Sequence, residues 1–238
     1  GPGAVPVSTL RISVLAEYFA LIPYTLGTRA VYLPPEHIEG ISGNFEEGYR
    51  LDKPLRAEQT LYLVQGPPDE GNEVPTESPP LSEKDVYLQL PGGLSSQLQT
   101  LAAGLADPTG NPRATLRNIE RYLARNYVYN LEAPRARAGA DFVESFLLRN
   151  KEGYCVHFAS AFAVLARLNG IPARYATGYL TQLPDSGLGY ERAQVPGRGV
   201  VTGLSAHAWP EVWLEDRGWT AWEATTAVNP AYYEVTGE

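Results

Sequence analysis

The segment Gly153-Tyr154-Cys155-Val156-His157-Phe158-Ala159-Ser160-Ala161-Phe162 contains the only cysteine of the chain and opens an apolar run. We predict a helix from Cys155 to Asn169-Gly170, because Gly170 can adopt the left-handed conformation that ends a helix and Pro172 cannot continue one. A thiol in the first turn faces backbone N–H groups without acceptors and the positive end of the helix dipole, which lower its pKa. Cys155 is therefore a candidate nucleophile, although a lone cysteine among apolar residues is more often a buried small residue.

Two histidines, His157 and His207, are candidates for the base that serves Cys155. His157 follows the cysteine by two positions, and side chains at i and i+2 of a helix point apart. We therefore interpret His157 as a packing or hydrogen-bonding residue. His207 lies at the start of a predicted strand, and cysteine acyltransferases assemble their pair from a helix and a facing strand. The sequence thus favours Cys155 with His207.

Glu223 is the candidate for the acid that orients His207. Its even separation from His207 puts both side chains on one face of an antiparallel hairpin. The two residues lie opposite each other if the turn centres near Glu215. A turn of Asp216-Arg217-Gly218 would instead place Glu211 opposite Glu223 and misplace His207 by about 13 Å. A triad of these residues therefore predicts the first register.

The chain as a whole predicts an α+β fold in two regions. Residues 3–95 are predicted to be β-rich, because apolar and polar residues alternate over residues 10–14, 61–64 and, more loosely, 86–90. Residues 96–238 form the predicted catalytic core, with a helix that begins at Pro112 after the N-cap Asn111. The other predicted elements of this core are the Cys155 helix and strands over residues 173–180, 206–214 and 219–223. Residues 66–80 and 181–200 are predicted loops, and one as long as the second is often functional.

All four tryptophans lie in the hairpin that carries His207 and Glu223. Trp209 and Trp213 share the face of His207. Their indoles could line a substrate channel and exclude water, or they could pack against the core and the neighbouring strand. The sequence leaves both interpretations open.

The composition excludes several classes of function. The 238 residues carry a net charge of −8, which argues against nucleic acid and anionic membranes as partners. No apolar run approaches the ~20 residues that span a bilayer. One cysteine and three histidines give neither a disulfide nor a thiolate zinc site, so we expect no metal or organic cofactor. The chain has no Met and begins with Gly1-Pro2, which resembles a tag remnant, so we expect an excised piece of a longer protein.

Three motifs, in the right order, resemble the nucleophile, histidine and acid segments of bacterial transglutaminase-like proteins. They are Gly153–Phe162 followed by residues 169–174 and 177–179, then Ala206–Trp213, then Gly218–Thr225. Residues 87–91 and 119–123 are similar to the membrane-anchored TgpA-type subgroup. The resemblance implies a papain-like α+β core with Cys155, His207 and Glu223 as the triad, in a domain outside the cytoplasmic membrane.

Two residues depart from the family pattern. The family usually has Asp where this chain has Glu223, and the additional methylene changes the reach of the carboxylate. Pro210 has no N–H, so it requires a position where the strand donates no hydrogen bond.

The resemblance implies acyl transfer through a thioester on a protein or peptide substrate. Cys155 would attack a carboxamide, His207 would shuttle the proton, and Glu223 would orient His207. The backbone N–H of Cys155 is a candidate oxyanion donor, and the sequence does not identify a second one. With water as acceptor the same site would be a cysteine peptidase or amidase. A non-catalytic module that binds cell-envelope material is the third possibility.

Overall fold

The computed structural model describes residues 8–15, 19–24, 28–44, 48–65, 86–180 and 201–225. The chain divides into two compact units, residues 1–74 and 75–238. The domain boundary that the sequence places between residues 95 and 96 stays a prediction. The predicted loops at 66–80 and 181–200, and Gly1-Pro2, lie outside the described residues.

The described part of the first unit consists of two antiparallel sheets, which confirms the prediction of a β-rich region. The strands are β1 (Ser8–Ser13), β2 (Phe19–Leu21), β3 (Thr28–Tyr32), β4 (Ile41–Asn44), β5 (Gly48–Leu55) and β6 (Thr60–Gln65), in the orders β1-β6-β3 and β2-β5-β4. Leu10 pairs with Leu63 and Ile12 with Leu61, so the apolar residues of β1 and β6 share one face. Their side chains pack with the buried Leu51 of β5.

The second unit packs helices on an antiparallel sheet, which confirms the α+β class. Its helices are α1 (Ser96–Leu105), α2 (Pro112–Asn126), α3 (Phe142–Glu144, continued by a π-helical segment, Ser145–Asn150) and α4 (Cys155–Leu168). Its strands are β7 (Val128–Tyr129), β8 (Glu152–Gly153), β9 (Ala173–Tyr179), β10 (Ala206–Leu214) and β11 (Gly218–Ala221). The sheet has the order β11-β10-β9, while β7 and β8 form a separate parallel pair.

Local sequence explains where the two long helices begin and end. The side chain of Asn111 accepts hydrogen bonds from the N–H groups of Arg113 and Ala114, which satisfies two donors that the first turn of α2 leaves open. Helix α4 starts at Cys155 and ends before Gly170, whose φ of +73° is the left-handed conformation that the sequence predicted. Phe158 and Phe162 on α4 are fully buried in the core of this unit.

The predicted strand over residues 86–90 is wrong. Val86–Leu88 forms a 3-10 turn. Its position depends on side chains instead of a strand ladder: the ring of Tyr87 packs edge-on against Trp219 at 4.7 Å, and the guanidinium of Arg167 donates to the carbonyl of Gln89 at 2.7 Å. Residues 86–90 are therefore fixed by contacts of Tyr87 and Gln89 within the second unit, and not by strand pairing.

The hairpin register differs from both alternatives that the sequence offered. Leu214 pairs with Gly218, so the turn is Glu215-Asp216-Arg217. The N–H of Arg217 donates to the carbonyl of Leu214 at 3.0 Å, and Gly218 follows with a φ of +67°. This is a three-residue hairpin loop that closes on a left-handed residue, a position that glycine adopts without strain.

Strand β11 ends at Ala221, two residues before the predicted end at Glu223. Pro210 explains the early end. Trp222 donates its N–H to the carbonyl of Pro210 at 2.9 Å, but Pro210 has no N–H to return. The ladder therefore stops at this pair, and Glu223 lies just beyond the sheet.

Candidate active site

Cys155 is the first residue of α4 and is 8% exposed. It packs with Ala159 on the next turn and with Ala208 of β10, which brings the helix tip against the histidine strand. Gly153 makes this entry possible, because a Cβ at Gly153 would lie 2.6 Å from the Cβ of His157. A side chain at residue 153 would therefore push the helix tip out of place.

His207 lies at the start of β10 and contacts both other predicted site residues. Its Nε2 is 2.7 Å from Oε2 of Glu223. The thiol of Cys155 is close enough to the same ring to raise the pKa of His207. The structure thus brings together all three residues that the sequence singled out.

Glu223 reaches His207 from a diagonal position. Continuing the register of β10 and β11 would place Glu223 beside Trp209, two residues from His207, or about 6.6 Å along a strand. Diagonal neighbours on one face are within reach of long side chains. The additional methylene of Glu, relative to the usual Asp of the family, suits this offset.

The three groups shift each other's pKa. Burial would raise the pKa of the Cys155 thiol, but hydrogen bonds from His207 and from the amide of Ala208 outweigh it, and the pKa falls below its ordinary value. Burial would lower the pKa of His207, but its hydrogen bonds to Cys155 and Glu223 raise it to about 9. Hydrogen bonds from His207 and Thr225 keep the pKa of Glu223 low despite burial. The imidazolium of His207 and the carboxylate of Glu223 are therefore both present near neutral pH, and the lowered pKa of Cys155 favours its thiolate form.

Thr225 holds the second oxygen of Glu223, and the sequence analysis assigned it no function. Its N–H donates to Oε1 at 2.8 Å and its hydroxyl donates to the same atom. Thr225 is 1% exposed, so this interaction is shielded from water.

Trp209 covers one side of His207. The two rings stack with their centroids 6.2 Å apart and their planes 23° apart. Gly178, which pairs with His207, leaves room for the indole, because a Cβ there would lie 2.8 Å from Cη2 of Trp209. The indole N–H donates to Oε1 of Glu211 at 3.3 Å, and the other oxygen of Glu211 pairs with Arg174 at 2.6 Å. Trp209 thus contacts the site, whereas Trp213 packs on Trp219 with a centroid distance of 5.6 Å.

His157 is a packing residue, as the sequence predicted. Its ring lies against Phe142 and Tyr154 at centroid distances of 4.6 and 4.7 Å. Its Nδ1 accepts the N–H of Tyr154 at 3.3 Å, and burial lowers the pKa of the ring. The neutral ring of His157 thus stabilises the first turn of α4 through its contacts with Phe142 and Tyr154.

Tyr129 is a further neighbour of Cys155, and no sequence pattern pointed to it. It occupies the second position of the two-residue strand β7 and pairs with Gly153. Burial, followed by the charge of the nearby Cys155, raises the pKa of Tyr129.

The fold and this site define a class of protein. Residues 99–224 match the family model described as the Transglutaminase-like superfamily. This range covers more than half of the chain, and the chain belongs to that superfamily.

Individual relatives agree with this assignment. The chain is 35% identical over 154 residues to the uncharacterized protein YebA of Bacillus subtilis, covering 63% of this chain and 20% of that protein. It is 32% identical over 148 residues to a protein-glutamine gamma-glutamyltransferase of Pseudomonas aeruginosa, covering 62% of this chain and 21% of that protein. The chain therefore spans about a fifth of the length of these two curated relatives.

Solved structures show the same fold. The periplasmic domain of TgpA from Pseudomonas aeruginosa superposes with a TM-score of 0.72 at 22% identity, over 96% of this chain and 73% of that chain. The same domain bound to ethylmercury gives a TM-score of 0.70 at 23% identity, over 95% and 74% of the two chains. Within the described residues, no helix has both the length and the apolar character needed to cross a membrane.

Proposed function

We propose that this chain catalyses cysteine-dependent acyl transfer on protein or peptide carboxamides. The observation that carries the proposal is the position of His207, whose Nε2 lies 2.7 Å from Oε2 of Glu223 and whose pKa is raised by Cys155 and Glu223. In this arrangement a carboxylate holds an imidazolium next to a thiolate. The name of the Pseudomonas aeruginosa relative, a protein-glutamine gamma-glutamyltransferase, supports the same reaction.

The first half-reaction forms a thioester. The thiolate of Cys155 attacks the carboxamide carbon, and the C–S bond forms as the carbonyl oxygen gains negative charge. The imidazolium of His207 gives its proton to the nitrogen, the C–N bond breaks, and ammonia leaves. Neutral His207 and an acyl group on Cys155 remain.

The second half-reaction transfers the acyl group. A primary amine attacks the thioester carbon and gives a proton to His207, the C–S bond breaks, and the thiolate returns. The product is an amide crosslink, and the site is restored to its starting protonation. Water in place of the amine would give a carboxylic acid. Trp209 shields one side of His207, which favours the amine by limiting access of water.

The experiment that tests this proposal supplies a fluorescent primary amine and a glutamine-bearing protein to the wild-type chain. We expect covalent incorporation of the amine together with release of ammonia, and neither with Cys155→Ser. Ammonia release without incorporation would identify a hydrolase. The absence of both would favour a binding module and contradict the proposal.

We also propose that the chain is an extracytoplasmic domain of a longer bacterial membrane protein. The similarity in fold to the periplasmic domain of TgpA supports this location. Fusing the natural parent protein to a reporter that is active only outside the cytoplasm would test it. Activity of a reporter inserted at this domain is expected, and its absence would contradict the proposed location.

A further inference from the structure

We infer that Glu211 is a positioning residue of this site, which holds the indole of Trp209 in place against the imidazole of His207. Its carboxylate acts through Trp209 and not on the reacting atoms themselves. The expected effect on turnover rests on the proposed function, whereas the expected effect on the titration of His207 does not.

The three residues lie in a row on one face of β10. Side chains alternate between the two faces of a strand, so His207, Trp209 and Glu211 point to the same side. The residues of β9 that pair with them are, in the same order, Gly178, Ala176 and Arg174. This row of the sheet therefore leads from His207 to a charged pair.

The indole of Trp209 is fixed at both ends. Its six-membered ring lies against Gly178, where a Cβ would come within 2.8 Å of Cη2. At the other end, Nε1 donates to Oε1 of Glu211 at 3.3 Å. The contact with Gly178 limits how close the ring comes to β9, and the hydrogen bond fixes the direction in which the ring is turned. Glu211 therefore sets the orientation of the ring that stacks on His207 at a centroid distance of 6.2 Å.

Arg174 holds Glu211 by its other oxygen. Nε and Nη2 of Arg174 lie 2.7 and 2.6 Å from Oε2 of Glu211. The guanidinium in turn lies over the ring of Trp219, with Cζ 4.2 Å from the centroid. Glu211 is 6% exposed, so little water reaches this pair. The carboxylate is thereby held in one position, with Oε1 presented to the indole N–H of Trp209.

Stability alone does not account for this buried ion pair. Removing two charges from water costs about as much free energy as their attraction returns, and an apolar pair of similar volume is often equally stable. An apolar pair would, however, provide no acceptor for the indole N–H of Trp209. The ion pair between Arg174 and Glu211 therefore supplies orientation that apolar packing could not.

The oriented indole also stabilises the charged form of His207. The planes of the two rings are 23° apart, so Trp209 presents its π face to the imidazole, and the π face of an indole attracts a cation. Donation of the N–H to a carboxylate polarises the indole and strengthens this attraction. Cys155 and Glu223 are the titratable groups that raise the pKa of His207, and the indole adds a neighbour that does not titrate.

The direct test replaces the indole of Trp209 by benzothiophene, in which sulfur takes the place of the N–H. This benzothienylalanine variant keeps the stacking area and leaves the pair of Arg174 and Glu211 intact, so we expect it to fold. We expect kcat for amine incorporation to fall about tenfold with little change in KM, because a small displacement next to the reacting atoms has an effect of this order. We also expect the titration of His207, followed by NMR, to move to lower pH by about half a unit.

Trp213 is the matched control. It lies on the same face of β10, but its buried Nε1 has no hydrogen-bond partner among the described residues. The same benzothiophene replacement at Trp213 should therefore leave kcat and the titration of His207 at their wild-type values. Equal changes in the Trp209 and Trp213 variants would overturn the inference.

A second variant tests Glu211 itself. Removing one member of a buried ion pair leaves an uncompensated charge, so Arg174→Leu and Glu211→Leu are introduced together, which keeps the apolar volume and leaves no charge. We expect the same fall in kcat and the same shift in the titration of His207 as in the benzothienylalanine variant. A folded double variant that matches the wild-type chain in both measurements would overturn the inference.

Combining the two changes shows whether they act through one contact. When the double leucine variant also carries benzothienylalanine at Trp209, we expect little further loss of kcat, because each change removes the same hydrogen bond. A combined loss of about 10²-fold, the product of two independent tenfold losses, would overturn the inference.

The two proposals fail in different ways. If the wild-type chain turns over no carboxamide, acyl transfer is wrong, and the titration of His207 still decides the role of Glu211. If the wild-type chain is active and the benzothienylalanine variant of Trp209 matches it in kcat and in the titration of His207, only the assignment of Glu211 is wrong.

Discussion

Glu223 contacts His207 from beyond the end of β11, with Oε2 at 2.7 Å from Nε2, although strand pairing does not place the two residues opposite each other. The contact depends on the length of the glutamate side chain and on Thr225, which holds its other oxygen. Both dependences can be tested separately.

Shortening Glu223 by one methylene is expected to break this contact. Glu223→Asp keeps the charge, but its shorter side chain does not reach Nε2 of His207 from the diagonal position. We therefore expect kcat to fall by about 10²-fold, the loss typical of misplacing a catalytic group by about 1 Å. Glu223→Gln keeps the length and loses the charge, and should lower kcat by about 10²- to 10⁴-fold. Steady-state kinetics of amine incorporation measures both. Full activity of Glu223→Asp would show that the length of the side chain is unimportant.

Thr225→Val replaces the hydroxyl that donates to the partly buried carboxylate of Glu223 with a methyl group of similar size. We expect a loss of about 1.5–3 kcal/mol in the free energy of unfolding, the usual value for a hydrogen bond to a charged group, together with lower kcat. Thr115→Val is the control, because the Thr115 hydroxyl is also buried but accepts the N–H of Asp107 at 2.9 Å. It should lose stability and keep kcat. If both variants keep kcat, Thr225 does not position Glu223 for turnover.

Adding one carbon at Gly178 is expected to displace Trp209 from His207. The new Cβ would lie 2.8 Å from Cη2 of the indole, which is too close for either group to stay in place. Gly178→Ala should lower kcat/KM about tenfold and change the tryptophan fluorescence. Gly104→Ala adds the same atom to open space on α1 and should stabilise the helix by about 0.5–1 kcal/mol with unchanged kinetics. Unchanged kinetics in both variants would mean that Trp209 contributes nothing to turnover.

The pH dependence of turnover follows from the shifted pKa values. The site needs a thiolate and an imidazolium, so kcat/KM should rise as pH increases through the lowered pKa of Cys155 and fall as His207 loses its proton at about 9. A pH series of initial rates measures both limbs. In Glu223→Gln the carboxylate no longer stabilises the imidazolium, and the alkaline limb should move to lower pH. An alkaline limb that does not move would contradict the assigned contact.

Local signals predicted the elements that carry the candidate site. The helix that begins at Cys155, its end before Gly170 and the strand that begins at Ala206 all follow from periodicity and capping residues. The register of the hairpin did not follow. It depends on Gly218, which adopts the left-handed conformation as the first paired residue and not as part of the turn.

Contacts between distant segments could not be predicted. Tyr129 approaches Cys155 through a two-residue parallel pairing, which is too short to leave a periodic pattern. Trp209 stacks on His207 because Gly178 on the neighbouring strand leaves room, and the pairing that brings them together is a property of the folded sheet. Such relationships depend on tertiary packing, which local propensity does not encode.

The titration of the Cys155 thiol tests most directly whether His207 activates it. Alkylation by iodoacetamide, measured from pH 5 to 10 at ~1-unit steps or finer, reports the fraction of thiolate. In the wild-type chain the midpoint should lie below the ordinary thiol value of about 8.5, and in His207→Gln it should rise toward or above that value. His37→Gln, which replaces a buried histidine of the first unit, should leave the midpoint unchanged. A wild-type midpoint at the ordinary thiol value, or one that His207→Gln does not move, would contradict the assignment of Cys155 as a nucleophile activated by His207.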